Sequence, residues 1–203
     1  KSRLKNNQVM KILFKLLFSL VLFSVFSLNV SSQEAFTGQI IYKLDYEGMQ
    51  INDAMKAMLP EQMTLTIKGN KSKTELKTGM EDQISIFDGN SKASVSLINM
   101  MGQKIAIKKT LDEVEIDRNK YPDLKLTLSE NTKEIAGYNC RKAQIEVDAT
   151  DFNGLSTFTV FYTEELGNMG INYSDPLFGQ IEGVMLEYEI KTRGMLMKFK
   201  AVE

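Results

Sequence analysis

The sequence predicts a mainly β fold, in which one strongly curved antiparallel sheet forms a half-barrel with one or two short helices against its concave face. Three observations lead to this prediction. Apolar and polar residues alternate along eight or more segments, short turn sequences separate the segments, and only two stretches argue for a helix. A sheet of this many strands must curl to bury its apolar side.

The alternating segments are typical of antiparallel strands that have one solvated face. In chain order they are "QMTLTIK", "QISIFD", "KASVSLI", "QKIAIKK", "DLKLTLS", "STFTVFYT", "GVMLEYEIK" and "GMLMKFKA". Asp88-Gly89 is a strong hairpin dipeptide, and the short connections predict a meander. The last segment still alternates where the sequence ends, so we expect the domain to be truncated there.

The first helical stretch is "INDAMKAMLP", at residues 51–60. Its apolar residues have helical spacing, Asn52 or Asp53 is a plausible N-cap, and Pro60 ends the helix. About two turns are too short to be stable alone, so this helix is expected to dock on the sheet. Residues 163–183 do not alternate and are a candidate for a second short helix.

The first 32 residues have the three-part pattern of a cleavable secretory signal peptide. A basic start precedes the apolar run "ILFKLLFSLVLFSVFSL", and small residues follow it, with cleavage expected before Gln33. The alternative is a membrane anchor, but the apolar run after Lys15 is shorter than the roughly 20 residues that a span needs. No cysteine follows the cleavage point, so we expect a periplasmic or otherwise exported protein that is not a lipoprotein and has no stable membrane span.

Residues 33–203 are predicted to form a single domain with a negative charge. Removing the signal's five basic residues from the chain's 25 leaves 20 against 26 acidic residues, a net charge of −6. A negative chain without a basic patch repels phosphate backbones, so the sequence argues against nucleic-acid binding.

Cys140 is the only cysteine, and the chain has no histidine. Ser-His and Cys-His nucleophiles and histidine zinc sites are therefore excluded, and neighbouring acidic pairs such as Glu81-Asp82 read as solvated surface. We expect no catalytic residue, no metal and no cofactor. Tyr138 and Cys140 differ in parity from Ala143, Ile145 and Val147, which predicts a β-bulge or a change of sheet face at Arg141-Lys142, with Cys140 buried.

Several segments together resemble an exported Gram-negative family, domain-of-unknown-function family 4412, which is related to the GLPGLI-type proteins. They are "TGQIIYKLDYEG", "MTLTIKGNKSKTEL", "TKEIAGYNCRKAQIEV", "FTVFYTEELG" and "GQIEGVMLEYE", of which residues 132–143 are the most specific. The resemblance covers nearly all of residues 33–203 and implies a LolA-like half-barrel with a helix-lined cavity. It implies no catalytic residues, since none are established for the family.

Ligand binding is the function that the sequence favours. Residues 33–203 contain eleven methionines, whose flexible side chains suit a surface that accepts apolar chains. We expect a lipid or other apolar ligand, such as an acyl chain, in the half-barrel cavity. The predicted lining residues are Met55, Met58, Met63, Tyr138 and Phe158.

An envelope-associated scaffold or protein-interaction module with a self-filled core is the alternative. Such a domain would bind an envelope protein partner at a sheet edge. The C-terminal strand "GMLMKFKAVE" is a candidate edge, although Lys198 and Lys200 would oppose strand pairing there. An open apolar cavity would favour the binding protein, and an exposed apolar edge or patch would favour the scaffold.

Overall fold

A computed structural model describes residues 36–48, 53–56, 58–79, 81–152, 154–167, 170–192 and 195–203. The predicted signal peptide, residues 1–32, and the predicted cap Asn52 lie outside the described residues. Within them, no helix is long and apolar enough to cross a membrane.

The described residues form a mainly β fold with one curved, unclosed sheet of 11 antiparallel strands, which confirms the predicted half-barrel class. In chain order the strands are β1 Thr37–Glu47, β2 Gln62–Lys68, β3 Lys71–Lys77, β4 Glu81–Asp88, β5 Ala93–Met100, β6 Gln103–Lys109, β7 Lys125–Ile135, β8 Tyr138–Ala149, β9 Gly154–Thr163, β10 Val184–Thr192 and β11 Met195–Ala201.

The strands run as two meanders that meet where the chain's first and last strands pair. The order across the sheet is β6-β5-β4-β3-β2-β1-β11-β10-β9-β8-β7. Strand β11 pairs with β1 on one side and β10 on the other, with Leu44 opposite Phe199. The prediction that the C-terminal strand is a sheet edge is therefore wrong, because β1 covers that side of it. The edges are β6 and β7.

Two α-helices lie in the described residues, and one of them was not predicted. Helix α1, Asp53–Lys56, falls within the first predicted helix but is shorter. Helix α2, Leu111–Arg118, lies between β6 and β7. The second predicted helix is wrong for the described part of residues 163–183, which forms a series of turns.

Helix α2 belongs to the connection between the two edge strands, so this part of the chain must cross the open side of the sheet. Its first turn is a capping box. The Glu113 carboxylate accepts hydrogen bonds from the Thr110 N–H and hydroxyl, both at 2.8 Å. Val114 on its buried side is 1% exposed.

The main core lies on the concave face, around the central and C-terminal strands. Four rings form a continuous cluster there: Tyr188 stacks on Phe199 at 4.5 Å between centroids and meets Tyr42 and Phe178 edge-on at 6.0 and 5.5 Å. Offset and edge-on ring pairs contribute beyond the apolar area that they bury. This half of the sheet is therefore filled by the chain's own side chains.

In the middle of β4 and β5 the sheet carries serines on the concave face, whereas Phe87 near the end of β4 is an apolar residue buried on that same face. Buried Leu65 pairs with Thr74, Thr74 with Ser85, and Ser85 with Ser96. Directly paired residues point to the same side of a sheet, so these hydroxyls continue the core face. The apolar residues between them point to the convex face, where Ile86 and Leu97 are 36% and 38% exposed. The expected burial of the apolar face is therefore wrong for these two strands.

Cys140 is fully buried, as predicted, and Ala143, Ile145 and Val147 are buried with it. The bulge lies at the predicted level but in the neighbouring strand. The pairing of β8 with β9 is continuous, whereas the register of β7 shifts between Leu128 and Thr132, opposite Lys142. Of the two predicted alternatives, the β-bulge was assigned to the wrong strand, because the additional residues belong to β7. The other alternative, a change of sheet face, stays a prediction.

Candidate functional site

Residues 170–183 cross the concave face between β9 and β10 and form one boundary of the candidate site. Buried Asn172 holds the two ends of this segment together, since its Nδ2 donates to the carbonyl oxygens of Ile181 and Gly183, both at 2.9 Å. Asp175 Oδ1 accepts from the N–H groups of Leu177 and Phe178 at 2.8 and 2.9 Å. These side-chain bonds add to backbone bonds such as that from the Gly179 N–H to the Asp175 carbonyl at 3.0 Å, and together they fix a compact turn.

Tyr173 connects this segment to both α2 and the β4–β5 hairpin. Its ring contacts two cations, with the Arg118 guanidinium at 3.8 Å and the Lys92 Nζ at 4.3 Å from the centroid. The ring also stacks against Phe87 at 6.1 Å, and its hydroxyl donates to Glu115. These contacts fix the position of α2 over the sheet.

A cavity of about 560 Å³ lies between α2, residues 170–183 and the concave face of β2–β5. Its size falls within the usual range for small-molecule sites, about 300–1,000 Å³. Its walls differ in chemistry. One is apolar and aromatic, formed by Tyr42, Met63, Leu65, Val114, Ile171, Met185 and Tyr188; the other is rich in hydroxyls, formed by Ser72, Thr74, Ser85, Ser94 and Ser96.

The polar atoms of the apolar wall have hydrogen-bond partners inside the protein. Tyr42 donates its hydroxyl to the Met185 carbonyl at 2.7 Å, and the Tyr188 hydroxyl lies 3.7 Å from Met63 Sδ. Burial raises the pKa of both phenols, so they stay neutral across the physiological range. This wall offers a ligand aromatic and thioether surface without charge.

The hydroxyl wall arises because the register of β3, β4 and β5 places hydroxyl residues directly opposite one another. Thr74, Ser85 and Ser96 form one row across β3, β4 and β5. Ser72 and Ser94 flank Phe87 in the next row. The Thr74 hydroxyl donates to the Ser85 carbonyl at 3.5 Å, a long bond. Serine hydroxyls both donate and accept, so this wall suits a neutral polar group with several oxygens.

Charged residues line the remaining part of the cavity. Lys109 pairs with Asp117 of α2, and Lys120 lies 2.7 Å from Asp151. Asp175 also contributes to the lining, and burial raises the pKa of its carboxyl group despite two bonds from backbone N–H groups. Both lysines are paired, so the described lining residues present no isolated cation to an anionic ligand.

The structure brings one of the five predicted lining residues to this cavity. Met63 is buried in its apolar wall. Met55 and Met58 are 37% and 53% exposed and lie outside the lining. Tyr138 packs half-buried at the edge of the core. Phe158 is buried within it, its ring edge-on to Phe152 at 5.1 Å.

Sequence patterns missed the rest of the site. The serines were assigned to a solvated face, although their register with buried Leu65 places them inside. Helix α2 had a usable signal, because Thr110 and Glu113 match the capping-box spacing. The turn of residues 170–183 has no periodic signal.

No group of three or more acidic or cysteine side chains among the described residues is placed to hold a metal ion. Burial, with a smaller effect of Glu165 and Glu187, raises the pKa of the Cys140 thiol to about 11. A thiol with this pKa is protonated near neutral pH and is a poor nucleophile.

No protein-family model and no curated protein matches the chain. Among solved structures, it is similar to PNGF-II, with a TM-score of 0.48 and 15% identity, over 81% of this chain and 26% of that one. It is also similar to the hypothetical lipoprotein YmcC from Escherichia coli, with a TM-score of 0.31 and 12% identity, over 92% and 93% of the two chains. The chain spans about a quarter of the PNGF-II chain. At such low scores neither structure identifies a function, and membership of family 4412 stays a prediction.

Proposed function

We propose that this protein is an exported, non-catalytic binding protein that holds a small amphiphilic lipid in the half-barrel cavity. The observation that carries the proposal is the contrast between the two cavity walls. An acyl chain would lie against Met63, Met185 and Tyr188, and a polar head group would face the hydroxyl row of Thr74, Ser85 and Ser96. Methionine adapts its shape to flexible chains.

The hydroxyl wall favours an amphiphilic ligand, which is a more specific class than the lipid or other apolar ligand that the sequence favoured. A bare hydrocarbon would offer no partner to the serine hydroxyls of this wall once it displaced the water around them, and buried unpaired hydroxyls are costly. A head group with several oxygens, such as a glycerol ester, would satisfy them. Export rests on the sequence pattern of residues 1–32.

Methionine methyl groups provide a test inside the protein itself. We would label them with ¹³C in residues 33–203 and titrate monolaurin, a glycerol ester of lauric acid, with glycerol as the control. We expect the Met63 and Met185 signals to shift in a saturable manner, while the exposed Met58 and Met101 act as internal controls. If only the exposed methyl groups respond, or if none do up to the solubility limit of monolaurin, the proposal is wrong.

A set of variants tests how much the hydroxyl wall alone contributes to ligand affinity. The triple change Thr74→Val, Ser85→Ala and Ser96→Ala removes the hydroxyl row, and Thr66→Val on the convex face of β2 is the matched control. Each lost hydrogen bond contributes about 0.5–1.5 kcal/mol, so we expect monolaurin to bind at least about tenfold more weakly to the triple variant. Unchanged affinity would show that the head group does not contact this wall.

A further inference from the structure

The outer side of β6 is a free sheet edge in the described part of the chain. Strand β6 pairs with β5 and with no other described strand. The two strands are joined by the turn Met101-Gly102, where both residues have positive φ, 51° and 84°. This is the signature of a two-residue type I′ hairpin, which makes Met100 and Gln103 a hydrogen-bonded pair.

The register of the β5–β6 hairpin determines which backbone groups of β6 are available to pair with another strand. Hydrogen-bonded and non-hydrogen-bonded pairs alternate along an antiparallel ladder. Because Gln103 is in a hydrogen-bonded pair, every second residue after it is too, so Ile105 and Ile107 direct their N–H and C=O groups toward β5. Lys104, Ala106 and Lys108 therefore direct theirs away from the sheet, as a template for another strand.

The side chains along this edge follow a regular pattern of charge and hydrophobicity. Ile105 and Ile107 share the concave side and are 47% and 45% exposed. Lys104 and Lys108 share the convex side, and neither belongs to any ion pair among the described residues. An added strand would cover both isoleucines and bring its own residues beside both lysines.

A second copy of the chain does not fit this pattern. Two β6 strands related by a two-fold axis at Ala106 would place Lys104 of one copy beside Lys108 of the other, twice. Like charges directly opposite each other destabilise a strand pair. Lysines on an edge strand are a common defence against such self-pairing. The same lysines would favour a partner strand of opposite charge.

We propose that the free edge of β6 binds an extended segment of another protein as an additional strand. Because neighbours across a ladder share a face, the segment carries acidic residues opposite Lys104 and Lys108 and apolar residues opposite Ile105 and Ile107. Its pattern is acidic–apolar–any–apolar–acidic. The pattern is symmetrical, so it suits either strand direction. The edge acts independently of the cavity ligand.

The test uses two labelled peptides with the cores Glu-Val-Thr-Val-Glu and Lys-Val-Thr-Val-Lys, measured by fluorescence anisotropy with residues 33–203. We expect saturable binding of the acidic peptide, weakened by salt. The double variant Lys104→Glu, Lys108→Glu should bind the acidic peptide roughly tenfold more weakly and gain binding of the basic one. Amide exchange of Lys104, Ala106 and Lys108 should slow when the acidic peptide binds.

Ala106→Pro tests the backbone contribution. It removes an N–H that faces away from β5, and proline is tolerated on an edge strand at such positions. We expect this variant to retain its fold and monolaurin binding but to lose the acidic peptide. The proposal is overturned if neither peptide binds up to about 1 mM, or if the charge reversal leaves peptide preference unchanged. Concentration-dependent dimerisation that Ala106→Pro abolishes would overturn it in favour of a second copy.

Discussion

Replacing Phe178 by alanine tests whether residues 170–183 pack on the concave face as described. Phe178 is 1% exposed and meets Tyr188 edge-on at 5.5 Å. Truncating a buried phenylalanine usually costs about 3–5 kcal/mol, because apolar contact is lost and a cavity remains. With an m-value of about 2 kcal/mol per M of urea, this corresponds to a midpoint shift of roughly 1.5–2.5 M.

The assay is urea unfolding of residues 33–203, followed by circular dichroism. Leu155→Ala is the control, because Leu155 is 73% exposed and its truncation should change the free energy of unfolding by less than about 0.5 kcal/mol. A shift of the midpoint without a change in slope would confirm a loss of packing. A loss below about 1 kcal/mol for Phe178→Ala would refute the reasoning, since this ring could not then be part of the aromatic cluster.

Three further predictions concern single groups. Burial raises the pKa of Asp175, so the contribution of this group to stability is complete below its unfolded pKa of about 3.9 and is lost as the pH rises through its folded pKa. We therefore expect Asp175→Asn to raise the melting temperature at pH 7, by an amount that shrinks in acid. A lower melting temperature at pH 7 would contradict this. With a pKa of about 11, the Cys140 thiol should resist iodoacetamide at pH 8 in the native protein and should react once urea unfolds the chain. Rapid labelling of the folded chain would be inconsistent with the burial of Cys140. Thr110→Ala breaks the capping box of α2 and should lower the melting temperature by about 2–4 °C. The measurement is calorimetry, with Thr66→Val as the control. An unchanged melting temperature would mean that the cap does not stabilise the helix.

The fold class could be predicted from sequence because alternation is a local property. Apolar residues at every second position determine strands, whatever their neighbours are. Which strand lies at an edge is not local. Strand β11 reads as an edge when only its sequence is considered, but pairing with β1 places it in the middle of the sheet.

Alternation also leaves open which face of a strand is buried. The serines of β4 and β5 follow the pattern of a solvated face, yet their register with Leu65 and Thr74 directs them into the cavity. This depends on the pairing of four strands, which no single segment reveals. The same limit applies to the candidate site. Met63 lies in a strand whose pairing brings it to the cavity, whereas the positions of Met55 and Met58 depend on where α1 docks, and all three stay predictions as ligand contacts.

The central claim is that the cavity between α2 and the sheet holds an amphiphilic ligand. The most direct test is native mass spectrometry of residues 33–203, purified gently from a bacterial periplasm, with extraction and identification of any bound molecule. We predict a stoichiometric adduct that contains an acyl chain and a polar head group, lost in Ser96→Trp, which fills the cavity, and retained in Thr66→Trp on the convex face. A bare protein that also fails to bind monolaurin would contradict the claim.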